Sequence, residues 1–271
     1  MSYYEFLNIE KEPFSTSPDP YFFYRSSAHE TALKRLEIAI RLRRGLSVIL
    51  GDVGTGKTTL GRTLLQAFDQ EDDFIFHLVL DPTYKSEFQF LSSLAKMFGV
   101  SANCRSTLDY RDAIEKYLFH KGVDENKTII LLIDEGQKLT PTFLEILRTL
   151  LNYETNEFKL LQLVILSQME VLPRIRRIKN FYDRITLKYI INPLDEEETR
   201  DMINYRLLQA GYEGSANLFS DGAGKLIYEH TMGYPRKISV LCHNALEELV
   251  MKNKRIVDES MMLEVIRNEV V

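Results

Sequence analysis

Residues 51–59 read GDVGTGKTT, and this run limits the possible folds more than any other stretch of the chain. It satisfies G-x-x-x-x-G-K-[ST], follows the apolar run LSVIL that starts at Leu46, and precedes an amphipathic stretch marked by Leu60, Leu64 and Phe68. A strand that turns through glycines into a helix gathers main-chain N–H groups and a helix N-terminus at one point, where a polyphosphate is held. The expected phosphate loop is Gly51, Asp52, Val53, Gly54, Thr55, Gly56, Lys57, Thr58 and Thr59. Its glycines let the backbone approach closely, Lys57 reaches the β and γ phosphates, and Thr58 ligates magnesium. ATP or ADP with Mg2+ are the expected ligands.

Short apolar runs alternate with amphipathic stretches on either side of this loop, which predicts a parallel sheet covered by helices. The runs are LSVIL at Leu46, FIFHLVL at Phe74, TIILLI at Thr128, LLQLVIL at Leu160 and ITLKYII at Ile185, enough for a five-stranded core. Ahead of them lies a Pro-, Ser- and aromatic-rich lead-in whose Phe14, Tyr21, Phe22, Phe23 and Tyr24 need burial. A helix follows it, with Ser27 and Glu30 at capping-box spacing, and ends near Arg43, Arg44 and Gly45. After Asn192-Pro193 the runs stop and four helical patterns take over. The expected domains are an α/β nucleotide-binding domain over residues 1–192, with 1–45 as its lead-in and first helix, and an all-helical lid over 193–271.

The strand IILLI ends in Asp134 and Glu135. Two carboxylates at the C-terminal end of a buried strand suit two tasks, and behind a complete phosphate loop Asp134 is expected to hold the metal shell and Glu135 to polarise the attacking water. The run LVIL ends in Ser167 and Gln168, where a polar group beside the carboxylates either senses the γ phosphate or simply caps the strand; Gln168 is the first candidate sensor and Ser167 the second. Arg174, Arg176, Arg177, Lys179 and Arg184 crowd one stretch before the last strand, a run that most often marks a solvated helix face. Arg184 directly precedes the strand, so the fold pins it, and a pinned guanidinium at a domain edge can reach the γ phosphate of a neighbouring subunit. Contact between the cluster and a DNA backbone is the least favoured reading.

Composition narrows the partners. Thirty-four Lys and Arg against thirty-nine Asp and Glu give a formal charge of −5, which supplies no global attraction to nucleic acid or anionic lipid. Cys104 and Cys242 lack paired spacing, the five histidines lack metal spacing, and no apolar run approaches the roughly 20 residues that cross a bilayer. A cytoplasmic protein is expected.

In this order, the phosphate loop, Asp134-Glu135, the strand tip near Gln168, Arg184 and the turn GYPRKI at Gly233 to Ile238 resemble the AAA+ ATPases. More narrowly, PFSTSPDPYFFYRSSAHETALKRL, GDVGTGKTTL, LRTLLNYETNEFKLLQLVILSQMEVL and INPLDEEETRDMINYRLLQAGY are similar to patterns of the ExeA (GspA) family of secretion-pathway ATPases, which includes the MshM-type pilus-biogenesis proteins. The resemblance implies a five-stranded AAA+ sheet followed by a helical lid, with Mg-dependent hydrolysis of ATP to ADP and phosphate coupled to assembly or remodelling of a secretion or pilus apparatus. It further implies ATP-dependent self-association with Arg184 as a finger in trans, and Arg236 folded back over the nucleotide from the lid. The turn chemistry around Arg236 agrees, since Gly233 ends one helix and Pro235 suits the first turn of the next. By the same resemblance the N-terminal aromatics help line the adenine pocket, with plain core packing the alternative. The family's usual Gly-Gln at the strand tip is Ser167-Gln168 here. Larger members carry a transmembrane segment and a cell-wall-binding domain after the ATPase, so for a chain that stops at the lid the expected membrane link is a partner protein. The fold also resembles ATPases that regulate DNA transposition, of the TniB and MuB kind, and an ATP-dependent DNA-binding regulator is the alternative function.

Overall fold

The computed structural model describes residues 3–100, 104–214 and 217–269. Its strands are β1 (Leu46–Gly51), β2 (Phe74–Val79), β3 (Thr128–Ile133), β4 (Leu161–Ser167) and β5 (Ile185–Ile191), one for each apolar run. The helices are α1 (Tyr3–Leu7), α2 (Ser27–Arg41), α3 (Lys57–Ala67), α4 (Glu87–Met97), α5 (Thr107–Phe119), α6 (Pro141–Leu150), α7 (Val171–Arg177), α8 (Lys179–Tyr182), α9 (Glu196–Gln209), α10 (Asp221–Thr231), α11 (Pro235–Met251) and α12 (Glu259–Glu269). Two compact units result. Residues 29–52 and 61–191 form one, and residues 1–28, 53–60 and 192–271 form the other.

In the first unit all five strands pair in parallel, in the order β2-β3-β4-β1-β5. Every residue of β1, β3 and β4 is buried, the pattern of strands covered on both faces. Alternate residues divide between those faces. Leu46, Val48, Leu50, Ile129, Leu131, Ile133, Leu161, Leu163 and Ile165 join a core with Phe90 and Leu94 of α4, Ile114 of α5, Leu147 of α6 and Ile175 of α7. On the other face Gly61 of α3 lies against Leu132 and Leu166. At the rim, β5 exposes Thr186, Lys188 and Ile190, alternating with half-buried neighbours, as an edge strand does.

The second unit is helical. Met202, Ile203 and Leu207 of α9, Ile227 of α10, Leu241 and Cys242 of α11 and Met262 of α12 bury together with Phe14 and Phe22 of the lead-in. The lead-in therefore packs with the C-terminal helices, whereas the sequence reading grouped it with the sheet. The physical reason is a set of specific anchors on α9 and the residue that ends it, Ala210. The N–H groups of Glu10 and Lys11 donate to the Ala210 carbonyl, and buried Arg206 donates to the Ser15 carbonyl at 2.9 Å and to Ser239 Oγ. Tyr21 departs from the expected burial: it is 47% exposed, with Lys11 Nζ 4.0 Å from its ring centroid. Ser27 is the first residue of α2, and its N–H and hydroxyl both donate to Glu198 Oε1 at 3.2 Å.

Candidate functional site

Parallel strands end together, so the register defines one chemical edge of the sheet. Leu50 pairs with Ser167, and Ile165 pairs with Ile133, so Gly51, Asp134 and Ser167 stand along that edge, on β1, β3 and β4 respectively. At the usual spacing of about 4.8 Å per strand, the ends of β1 and β3 are roughly 10 Å apart with β4 between them. The 51–59 run leaves β1 at this edge and enters α3 at Lys57, the strand–loop–helix context the motif requires. Thr55 and Lys57 are buried, Thr58 and Thr59 half-buried, and Asp52 and Val53 exposed. The Gly56 carbonyl accepts the Leu60 N–H at 2.9 Å and begins the helical ladder.

Gly54 has a φ of +84°, and a Cβ on it would lie 2.9 Å from Arg236 Cβ. The Arg236 N–H donates to the Gly54 carbonyl at 3.2 Å. Residues 53–60 and the turn GYPRKI, nearly 180 residues apart in sequence, thus meet inside one compact unit. Local chemistry fixes the arginine's place: Met232 and Gly233 both adopt left-handed φ after α10, and Pro235 takes the first position of α11. The Leu194 N–H donates to the Gly233 carbonyl at 2.9 Å, fastening the turn to the segment that follows β5.

At the β3 end Asp134 is buried, and its N–H donates to the Val79 carbonyl at 2.8 Å. Glu135 has φ 53° and ψ 36°, a left-handed conformation that a non-glycine residue adopts only when its surroundings hold it there. Its N–H donates to Asp134 Oδ1 at 2.8 Å, and its Oε2 accepts from Gln137 Nε2 at 2.7 Å. Gln137 Oε1 in turn accepts from the Gln168 N–H at 3.2 Å and from Ser167 Oγ at 3.4 Å. The residues expected at two separate strand tips are therefore joined through Gln137, which sequence reasoning did not single out. It lies in the same motif, DEGQKL, two positions beyond Glu135, but no spacing rule marks it.

The basic stretch divides. Arg174, expected on a solvated face, turns inward and donates from Nη1 to the carbonyls of Gln137 and Leu139, each at 2.6 Å. Arg184 precedes β5 and so lies beside Leu46, at the opposite end of the strands from Gly51. Five residues of rise separate the two ends of β1 by about 17 Å. Arg184 donates to Asn152 Oδ1 at 2.6 Å and to the Asn180 carbonyl at 2.5 Å.

A family model described as AAA domain matches residues 40–175, half of the chain. The chain belongs to the AAA family. Among curated proteins this AAA chain is similar to General secretion pathway protein A of Aeromonas hydrophila, at 32% identity over 247 residues. That match covers 90% of the chain and 44% of the relative, so the chain spans less than half of that protein's length. Solved structures share the AAA fold at low identity. The ORC2 protein of Aeropyrum pernix aligns with a TM-score of 0.70 at 17% identity, over 95% of this chain and 71% of its own. Drosophila ORC bound to DNA gives 0.70 at 18%, over 100% and 66%, and the Thermotoga maritima RuvB branch migration motor 0.62 at 13%, over 91% and 72%. The expected parallel sheet followed by a helical region is the fold observed.

Proposed function

We propose that this AAA chain binds ATP with magnesium at Gly51–Thr59, hydrolyses it to ADP and phosphate, and uses the nucleotide state to drive assembly or remodelling of a secretion or pilus apparatus. The observation that carries the reading is the approach of Arg236 to Gly54. It brings a cation of the C-terminal helices to the loop whose sequence is built for phosphates. The N-terminus of α3 and Lys57 neutralise phosphate charge, and Glu135 orients the attacking water and takes its proton. Thr58 and Asp134 offer the hard oxygen donors that suit magnesium, and bound there the ion would offset charge on the phosphate oxygens. Gln168, or Ser167 beside it, reports the γ phosphate from the β4 tip. Arg184 stands at the far end of the strands from its own phosphate loop, which supports a role toward the nucleotide of a second copy.

ATP turnover and nucleotide affinity in two variants test the core. Lys57→Ala is expected to lose both, and Glu135→Gln to keep binding while turnover falls by about 10²-fold or more. Wild-type turnover in both would contradict the proposal.

The apparatus rests on the similarity to General secretion pathway protein A. No helix among the described residues is long and apolar enough to cross a membrane; a cytoplasmic location, with the inner membrane reached through a partner, is part of the proposal. An ATP-dependent DNA-binding regulator of transposition has less support, because Arg174, the first cation of the 174–179 cluster, is engaged within the chain.

A further inference from the structure

Gln137 is held from three directions. Arg174 grips its main-chain carbonyl, its Nε2 donates to the Glu135 carboxylate, and its Oε1 accepts from the β4 tip. The partners dictate the orientation of the amide. A carboxylate only accepts and a main-chain N–H only donates, so the flipped amide would oppose oxygen to oxygen and N–H to N–H. Gly136 makes the approach possible: a Cβ there would lie 2.4 Å from Ile165 Cγ2 and 3.1 Å from Ser167 Cβ. The left-handed Glu135 and this glycine together press the end of β3 against the end of β4.

We propose that Gln137 is the positioning residue of the hydrolytic carboxylate, tying the orientation of Glu135 to the position of the β4 tip at Ser167 and Gln168. The inference rests on Glu135 as the group that activates water. A displacement of the tip when nucleotide engages it is passed through one rigid amide to the carboxylate. Both ends of the amide are taken by protein groups, Nε2 by Glu135 and Oε1 by Ser167 and Gln168, so its contribution belongs to kcat and not to ATP binding.

The test is steady-state ATP turnover of Gln137→Ala, Gln137→Glu, Glu135→Gln and the double variant Glu135→Gln/Gln137→Ala, each checked for a wild-type melting curve. Gln137→Glu preserves shape and the acceptor toward the Gln168 N–H but sets a carboxylate against that of Glu135. Both single Gln137 variants are expected to lower kcat by about ten- to a hundredfold, the range for a misplaced catalytic group, with KM for ATP within about twofold of wild type. In the Glu135→Gln background, adding Gln137→Ala should change turnover by less than about twofold, since no carboxylate remains to be positioned.

Wild-type kcat in Gln137→Ala and Gln137→Glu, with turnover of Glu135→Gln reduced as expected, overturns this inference and leaves the role of Glu135 standing. A full multiplicative loss in the double variant also overturns it, by assigning Gln137 a structural role. Wild-type turnover in Glu135→Gln removes the underlying reading and this inference with it.

Discussion

At Gly54 a single hydrogen atom separates two distant parts of the sequence. The G-x-x-x-x-G-K-[ST] spacing announces that glycine, and the turn chemistry of GYPRKI announces the helix start at Pro235. Their meeting is visible only in three dimensions, through the Arg236 N–H bonded to the Gly54 carbonyl. Gln137 was not legible at all. Its partners Ser167, Gln168 and Arg174 lie thirty or more residues further along the chain, and an amide inside a motif carries no mark of which bonds it makes. Arg174 was misread for a related reason: a count of charges says nothing of direction, and this guanidinium points into the loop it supports.

At the level of elements the strands were the most legible part. Strands buried on both faces must be apolar throughout, and the five runs needed no periodicity to be seen. The lead-in was less so, because its anchor is Arg206, a buried arginine on a helix whose sequence looks polar and acidic. Burial lowers that guanidinium to a pKa of about 10, and it still spans Ser15 and Ser239. His77 on β2 shows how packing overrides composition. Its ring lies 4.5 Å from Phe98, its Nε2 is 3.1 Å from the Tyr117 hydroxyl, and burial depresses its pKa from 6.5 to about 4. The unfolded chain therefore takes up this proton before the folded one does, so the sheet loses stability as pH falls below about 6.5, and the loss levels off near pH 4. Melting temperature measured across that window should fall less in His77→Phe than in wild type; equal slopes would mean that His77 does not set the acid limit.

For the molecule as a whole, the sheet register has a consequence for assembly. Arg184 and Gly51 stand at opposite ends of adjacent parallel strands, so the proposed finger role of Arg184 would call for a head-to-tail contact between copies. An Arg184→Ala protein, inactive alone, is expected to regain part of its turnover when mixed with Lys57→Ala protein, because the mixed interface pairs an intact loop with an intact finger. Absence of any rescue would count against Arg184 acting in trans. Within a copy, residues 53–60 belong to the same compact unit as the C-terminal helices, so a nucleotide held at that loop, as proposed, would bear on α11 through Arg236. The most direct measurement is therefore ATP affinity and turnover in Arg236→Ala against wild type at equal thermal stability. If the loop and GYPRKI form one nucleotide site, affinity or turnover falls by about tenfold or more, the loss of a charge-assisted contact worth about 1.5–3 kcal/mol; wild-type values for both would contradict it and leave Arg236 a surface arginine at a turn.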